Sequence, residues 1–274
     1  MTAGPETSTA SLRERVEALP LWYHSIDLGG GLVTPGWFDL RPIVDRMPWP
    51  DVRGKRCLDV GTWDGFLAFE LERRGASEVV ATDIENHASW DWPAPLRARG
   101  AAYHESLAGP ERGHGFAIAR EALRSSVERE LISIYDLSPE RLGTFDVVVC
   151  GSLLLHLRDP MGALEAVASV CSGLFLSAEQ IDLRTTVMHR RLPVAVVRPG
   201  DELQWWSFNA HAHARMLEET GFAIERSSRP YAIPFGRAHP PHLRTPRDLV
   251  TAAARRVLTG GTGVPHRAAL ARLR

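Results

Sequence analysis

The chain is poor in lysine, in cysteine and in long apolar runs. Lys55 is its only lysine, and arginine supplies the rest of the 32 basic side chains, which nearly balance 33 acidic ones. Such near-neutral charge gives the surface no general attraction for nucleic acid or anionic lipid. No apolar run reaches the length of a membrane span, and the first residues lack the pattern of a signal peptide. We therefore expect a cytoplasmic protein that does not engage a membrane.

Cysteine and histidine are also too thinly spread to suggest a metal centre. The three cysteines, Cys57, Cys150 and Cys171, form an odd set, and two of them fall in or beside apolar runs typical of core strands. We interpret them as buried, reduced thiols. No cysteine or histidine spacing resembles a zinc site, so the sequence predicts no metal.

The clearest pattern that is present runs from residue 56 to residue 85. Arg56 to Val60 is a short apolar run of the kind buried in a parallel sheet, and the sequence Gly-Thr-Trp-Asp-Gly at 61–65 predicts a tight turn. A helical stretch follows, then a second strand at 78–83 that ends on Asp83. In such a βαβ unit the glycine turn admits a ligand close to the backbone, and an acid about twenty residues on accepts ribose hydroxyls.

Strands and helices continue to alternate downstream. Leu131 to Asp136 predicts a third short strand after a helix at 116–130, and Phe145 to Cys150 predicts a fourth. A helix near 161–170 and a strand at 173–179 follow. This alternation predicts an α/β fold with a doubly wound, mostly parallel sheet.

The segments LDVGTWDGF and ATDIE resemble motif I and the motif after it in class I methyltransferases that depend on S-adenosylmethionine (SAM). The resemblance implies a Rossmann-like fold with helices on both faces of the sheet, SAM as cofactor and S-adenosylhomocysteine (SAH) as product. Trp63 departs from the family's usual middle glycine, so its ring must turn away or form part of the pocket wall. The cofactor residues that the resemblance implies are Gly61, Thr62, Trp63, Gly65, Asp83, Ile84, Tyr135, Asp136 and Cys150.

A wider likeness covers most of residues 21–235. The order of FDVVVCGSLLLHLRDP, LFLSAEQID and WWSFN is similar to a bacterial group near the tRNA wobble-uridine carboxymethyltransferase. Leu155 stands where that enzyme has a tyrosine, and no basic partner for an extra carboxylate is evident, so plain SAM is favoured. Three functions stay open: a methyltransferase acting on O, N or less often C of a small molecule of secondary metabolism, a tRNA-modifying enzyme, and a non-catalytic SAM-fold binding protein.

The flanks of this region suggest three parts. Residues 1–50 form an N-terminal helix and an aromatic, glycine-rich segment, which is either a lid over a pocket or a strap packed on the sheet. Residues 51–235 form the SAM-binding methyltransferase domain. Residues 236–274 carry eight arginines against one acid, Asp248, and we expect a helical extension there. The oligomeric state is not predicted.

Methyl transfer from a sulfonium is an in-line displacement, in which the protein mainly aligns and desolvates the reactants. An oxygen nucleophile must also lose a proton, which requires a base with a pKa near neutrality. His156, just beyond the fourth strand, is the first candidate for that base, although it could also cap the following turn. His24 is the second candidate if the N-terminal segment is a lid. The residues that we expect to bind the acceptor are Tyr23, Trp37, Glu179, Trp206 and Asn209.

Overall fold

The computed structural model describes residues 6–108, 113–198, 204–239 and 245–274. Its strands are β1 (Trp22–His24), β2 (Gly36–Phe38), β3 (Arg56–Val60), β4 (Glu78–Asp83), β5 (Glu128–Leu131), β6 (Phe145–Gly151), β7 (Cys171–Gln180), β8 (Ala195–Val197), β9 (Trp206–Phe208), β10 (Phe222–Ser227), β11 (Tyr231–Ile233) and β12 (Val264–Leu273). Its α-helices are α1 (Glu6–Ala18), α2 (Phe66–Arg73), α3 (Ala94–Arg97), α4 (Ala101–Ala108), α5 (His114–Leu123), α6 (Pro139–Leu142), α7 (Pro160–Val170), α8 (Leu183–Met188), α9 (Ala210–Glu219) and α10 (Pro246–Thr259).

The central sheet has the strand order β10-β12-β7-β6-β3-β4-β5, and β11 pairs with β12 beside this path. The five strands from β7 to β5 are mutually parallel, whereas β12 runs antiparallel to β7, β10 and β11. The carboxyl ends of the five parallel strands therefore meet at one edge, and β12 begins at that same edge. The predicted mostly parallel sheet is confirmed.

Each face of the sheet carries its own hydrophobic core. Side chains alternate between faces along a strand, so Cys57 and Val147 pack in one core and their neighbours Leu58 and Val148 pack in the other. Helices α1, α2 and α5 contribute to the first core, and helices α7 and α9 contribute to the second. Layers of helix thus cover both faces, as a doubly wound sheet requires.

The aromatic segment near the N-terminus is packed onto the first core. Leu28, Leu32 and Leu40 are buried in that core, and Trp22 is 1% exposed with its indole N–H donating to the Val16 carbonyl at 3.0 Å. Strands β1 and β2 pair in parallel, and an isolated bridge joins Phe38 to Phe235. The segment is therefore a strap over the sheet.

Two expected elements differ from the structure. The third strand of the sheet is β5 at 128–131, not 131–136, because α5 ends at Leu123 and Arg124 adopts a left-handed φ of 52°. β5 is an edge strand with the charged sequence Glu-Arg-Glu-Leu. The apolar run that follows it looks more like a strand, so the predicted strand was placed too far along the chain. Residues 264–273, expected within a helical extension, form β12 in the central sheet, where Ala268 and Leu270 are buried.

Among the described residues, no helix combines the length and the apolar character that crossing a membrane demands.

Candidate functional site

A cavity of about 360 Å³ opens at the carboxyl edge of the parallel strands. Its wall draws on the ends of β3, β4, β6 and β7, on the strap and on the start of β12. Open α/β sheets bind their ligands at this edge. The residues predicted from the sequence that line it are Tyr23, His24, Trp37, Gly61, Thr62, Trp63, Asp83, Ile84, Tyr135 and His156.

The turn after β3 begins with a glycine, and any side chain in its place would force neighbouring atoms to move. Gly61 has a φ of 75°, and a Cβ there would lie 2.8 Å from the Leu153 Cδ2 atom. Its N–H donates to the Thr82 carbonyl at 2.9 Å, which ties the turn to β4. Thr62 is 3% exposed and its hydroxyl donates to Asp59 Oδ2 at 2.7 Å. Burial raises the pKa of Asp59 to about 6, although the Thr62 hydrogen bond opposes the shift.

The indole of Trp63 leans onto the strap. The backbone of Trp63 adopts a left-handed φ of 51°, which glycine would occupy without strain. Its ring stacks on Tyr23 with centroids 4.7 Å apart and an interplanar angle of 27°. Both rings line the cavity, so the indole forms part of its wall.

Asp83 links the turn to the end of β4. Its Oδ2 accepts from the Trp63 N–H at 2.8 Å and its Oδ1 accepts from the Ile84 N–H at 2.8 Å. The residue is 4% exposed and lines the cavity. A carboxylate oxygen can accept more than one hydrogen bond, which is the property that a contact with sugar hydroxyls requires.

His24 is held by an aspartate that the sequence did not single out. The Asp64 carboxylate accepts from the backbone N–H groups of Tyr23 and His24 at 2.9 and 2.7 Å, and its Oδ1 contacts His24 Nδ1. Asp64 is 2% exposed. In a neutral imidazole, a carboxylate on Nδ1 fixes that nitrogen as the donor and leaves Nε2 as the acceptor. The strap and the glycine turn are thus joined through one buried aspartate and one oriented histidine.

His156 lies on the single 3₁₀ turn Leu154–His156 after β6. It is half-buried and lines the cavity, and its backbone N–H donates to the Leu153 carbonyl at 2.9 Å. The structure therefore brings both predicted histidines to the same cavity.

Beyond β5 the cavity is lined by residues 132–135, and Asp136 lies outside it. A 3₁₀ turn at Ile134–Asp136, where a strand was expected, turns the Asp136 side chain to solvent. Tyr135 faces the cavity, and its hydroxyl donates to Asp91 Oδ2 at 2.6 Å. Asp91 also accepts from the Arg158 N–H at 2.8 Å and so draws the loop after β4 towards the end of β6.

Two further cofactor predictions fall behind the cavity wall. Gly65 caps α2 with a φ of 94°, and a Cβ there would lie 2.4 Å from the Phe69 ring, so the residue serves helix packing. Cys150 is fully buried in the second hydrophobic core because it alternates with cavity-lining Gly151 on β6. Burial raises the pKa of its thiol.

Three acceptor predictions also lie outside the cavity. Glu179 points away from it because its neighbours Ala178 and Gln180 occupy the cavity face of β7. Its Oε1 instead accepts from the Leu153 and Leu154 N–H groups at 3.2 and 3.3 Å, and burial raises its pKa to about 8.

Trp206 and Asn209 are structural. The Trp206 indole donates to the Leu157 carbonyl at 3.0 Å, and its neighbour Trp205 lines the cavity instead. Asn209 is fully buried, and its Oδ1 caps α9 by accepting from the Ala212 N–H at 2.8 Å.

A second part of the cavity wall holds polar residues that sequence reasoning missed. Ser152, Tyr231 and His266 line the cavity, and the Ser152 hydroxyl lies 2.8 Å from His266 Nε2. Tyr231 and His266 stack with centroids 6.0 Å apart. They come from the end of β6, from β11 and from β12, so no local pattern joins them. In the described parts of the chain, no group of three or more acidic, histidine or cysteine side chains could hold a metal ion.

A mostly parallel sheet covered on both faces, with its cavity at the carboxyl edge beside a glycine turn and a strand-end acid, is the Rossmann-like class I methyltransferase architecture. The sequence profile described as a methyltransferase domain matches residues 39–227, more than half of the chain. The chain therefore belongs to the methyltransferase domain family. The sequence-based prediction of a methyltransferase class that uses SAM is confirmed at the level of the family.

Relatives and solved structures agree with this assignment. The ubiquinone biosynthesis O-methyltransferase of Neisseria meningitidis serogroup C is 31% identical over 120 residues, which is 44% of this chain and 41% of that protein. The enzyme of the same name from Xanthomonas euvesicatoria is 31% identical over 130 residues, 46% of this chain and 44% of that protein. The chain thus spans less than half the length of these curated relatives.

The crystal structure of EvdMO1 resembles the whole chain, with a TM-score of 0.52, 14% identity and coverage of 50% of that chain. Its N-terminal domain with SAH bound has a TM-score of 0.51 and 15% identity, and 97% of each chain is covered. These identities support the fold alone. The relatives are ubiquinone O-methyltransferases, so the expected likeness to the tRNA wobble-uridine enzymes is not shown.

Proposed function

We propose that this chain transfers a methyl group from SAM to an oxygen, or less often a nitrogen, of a small molecule. The observation that carries the proposal is one cavity that joins the glycine turn and Asp83 to a second wall of aromatic and polar side chains. The O-methyltransferase names of the relatives support oxygen as the acceptor atom. A place in secondary metabolism and a cytoplasmic location stay predictions.

The residues of the first wall fit the parts of SAM. Gly61 and Thr62 would hold its amino-acid end, Asp83 would accept from its ribose hydroxyls, and Ile84 and Tyr135 would flank its adenine. When bound, SAM supplies a methyl group on a sulfonium that is already a good leaving group. The chain's own residues then need to align the acceptor, exclude water and take one proton.

We assign that proton to His24. Asp64 fixes its Nδ1 as a donor, which leaves Nε2 free to accept the proton of the acceptor hydroxyl as the new O–C bond forms. His156 lines the same cavity and is the second candidate. The Asp64 contact favours His24, since a base whose orientation is already fixed loses less entropy on reaching the reactive geometry.

Calorimetry with SAH tests the cofactor assignment. Asp83→Ala removes the carboxylate at the end of β4, and we expect its SAH dissociation constant to rise about 100-fold, since charge-assisted hydrogen bonds contribute roughly 1.5–3 kcal/mol each. Asp136→Ala is the matched control because Asp136 is exposed outside the cavity. Equal SAH affinity in wild type and Asp83→Ala would contradict the proposal.

A tRNA acceptor is the alternative. It would need the arginines near the C-terminus as a basic surface, but Arg267 and Arg272 belong to β12, and Arg272 pairs with Glu225 at 2.6 Å. Those two side chains therefore add little to a basic surface. A tRNA enzyme would bind tRNA with an affinity that falls steeply as salt rises, and filter binding at two salt concentrations distinguishes the two acceptors.

A further inference from the structure

The part of the cavity wall where β6 ends and β11 and β12 meet has a defined arrangement of hydrogen-bond donors and acceptors. Ser152, Tyr231 and His266 meet there, with Ser152 Oγ 2.8 Å from His266 Nε2 and the Tyr231 ring stacked on the imidazole. His266 and Tyr231 are 3% and 1% exposed. Ser152 is hydrogen-bonded to the imidazole and the Tyr231 ring lies alongside it, so one histidine relates both hydroxyl-bearing side chains of this wall.

The proton positions around His266 follow from its partners. Its Nδ1 lies 2.9 Å from the Val264 carbonyl, which can only accept, so Nδ1 carries a proton. Burial lowers the pKa of His266 to about 4, so the ring is neutral at neutral pH and Nε2 is an acceptor. The Ser152 hydroxyl must therefore donate its only proton to Nε2.

This arrangement leaves Ser152 with lone pairs alone for a ligand. A hydroxyl has one proton and two acceptor sites, and the proton is already used. Ser152 also holds a left-handed φ of 53° at the end of β6, a conformation that serine rarely adopts. Strain of this kind at a cavity wall is a common mark of a ligand contact.

Tyr231 offers the opposite property. Its hydroxyl is buried and has no hydrogen-bond partner among the residues that the structure describes. Burial raises the pKa of the phenol, so the group stays protonated and can donate. Buried hydroxyls are usually paired, and a ligand oxygen would supply the missing acceptor.

We propose that Ser152 and Tyr231 bind the methyl acceptor, with Ser152 accepting a hydrogen bond from a neutral hydroxyl and Tyr231 donating one to a second oxygen of the same molecule. His266 is a positioning residue that fixes the direction of the Ser152 proton. The acceptor is then a neutral molecule that carries a hydroxyl and a second oxygen, and catechol is a small probe with both. A carboxylate in the same place would set its lone pairs against those of Ser152. The inference rests on the proposed function, since it assigns the acceptor end of the same cavity.

Two probes of equal ring size test the subsite in the SAH complex. Catechol carries donors and acceptors, whereas 1,2-dimethoxybenzene keeps both oxygens and lacks the donor. Ligand-observed NMR titrations should show wild type binding catechol about tenfold more tightly than 1,2-dimethoxybenzene. Ser152→Gly should abolish that preference. It relieves the left-handed backbone, which offsets part of the cost of leaving His266 Nε2 without its donor, and SAH binding checks that the variant is folded.

The tyrosine variant has a different expected signature. Tyr231→Phe removes a donor that both probes use, so both should weaken by a similar factor of about threefold to tenfold. Ser172→Ala and Tyr103→Phe are matched controls outside the cavity, and both should behave as wild type.

The outcomes separate this inference from the proposed function. If SAH binds but catechol shows no preference, or if the preference survives in Ser152→Gly, the subsite is wrong and the methyltransferase assignment stands. If wild type does not bind SAH, both fall.

Nitrogen NMR of histidine-labelled protein tests the role of His266. We expect one imidazole with a protonated Nδ1 and an unprotonated Nε2 whose resonance moves when Ser152→Gly removes its donor. A protonated Nε2 at neutral pH would overturn the assignment.

Discussion

The two walls of the cavity are built in different ways. The wall around Asp83 is assembled within a short stretch, from the turn at 61–65 to Ile84, and backbone N–H groups hold it together. The wall around His266 joins residues that lie far apart in the chain, and side chains hold it together. The first kind of wall leaves a local sequence pattern, whereas the second exists only after the sheet has formed.

The walls also differ in how they treat charge. In the wall around Asp83, two backbone N–H groups donate to the carboxyl group. The groups near the other wall are kept neutral, since burial lowers the pKa of His266 and raises those of Tyr231 and Glu179. Under the proposed function, a neutral acceptor would face these neutral groups.

The largest expected effect removes the proposed base between these walls. His24→Gln keeps a donor for Asp64 and loses the proton acceptor, so kcat with catechol should fall about 10²- to 10⁴-fold while SAH affinity stays within about threefold. Steady-state kinetics and calorimetry measure the two quantities. His211→Gln, on α9 outside the cavity, is the control. A variant with wild-type kcat would move the role to His156.

The next effect is the pH dependence of the free energy of unfolding that Glu179 causes. The pKa of Glu179 is raised to about 8, so between its ordinary value and pH 8 the unfolded chain loses a proton that the native state keeps. Stability then falls as pH rises, by at most about 1.4 kcal/mol per pH unit.

Glu179→Gln keeps an acceptor for the Leu153 and Leu154 N–H groups and has no proton to lose. Its advantage over wild type should grow with pH and approach roughly 3 kcal/mol at pH 7. Urea unfolding at pH 5, 6, 7 and 8 measures the difference, with exposed Glu105→Gln expected to follow wild type. A constant difference across this range would show that Glu179 is ionised in the native state.

The smallest effect concerns Trp63, which stands in the wall around Asp83 where the methyltransferase motif usually has a glycine. Trp63→Gly relieves the left-handed backbone but loses the stack on Tyr23, two contributions of about 1 kcal/mol each with opposite sign. We expect its stability to lie within about 1 kcal/mol of wild type. Trp63→Ala loses the stack and keeps the strain, so it should be less stable than Trp63→Gly by about 1 kcal/mol. If urea unfolding shows that Trp63→Ala is more stable than Trp63→Gly, the backbone at residue 63 is not strained.

The same contrast explains what the sequence could predict. The βαβ unit and the strand-end Asp83 are local patterns, and the structure contains both of them. Glu179 and Cys150 were placed on the right strand ends but on the wrong face, because a shift of one residue reverses a side chain.

Other features depend on partners that no window of sequence contains. The role of Asp64 depends on its contact with the strap, and the position of His266 depends on the pairing of β12 with β7. Neither could be predicted from the sequence around the residue. Strand β5 was not predicted because its charged side chains suit the edge of a sheet, and its sequence lacks the apolar pattern of a core strand.

A crystal structure of the chain with SAH and catechol tests the account most directly. We predict ribose hydroxyls within hydrogen-bond distance of Asp83, the indole of Trp63 still against Tyr23, and a catechol hydroxyl on Ser152. A nucleoside bound elsewhere, or an indole turned into the glycine bend so that SAH is excluded, would contradict it.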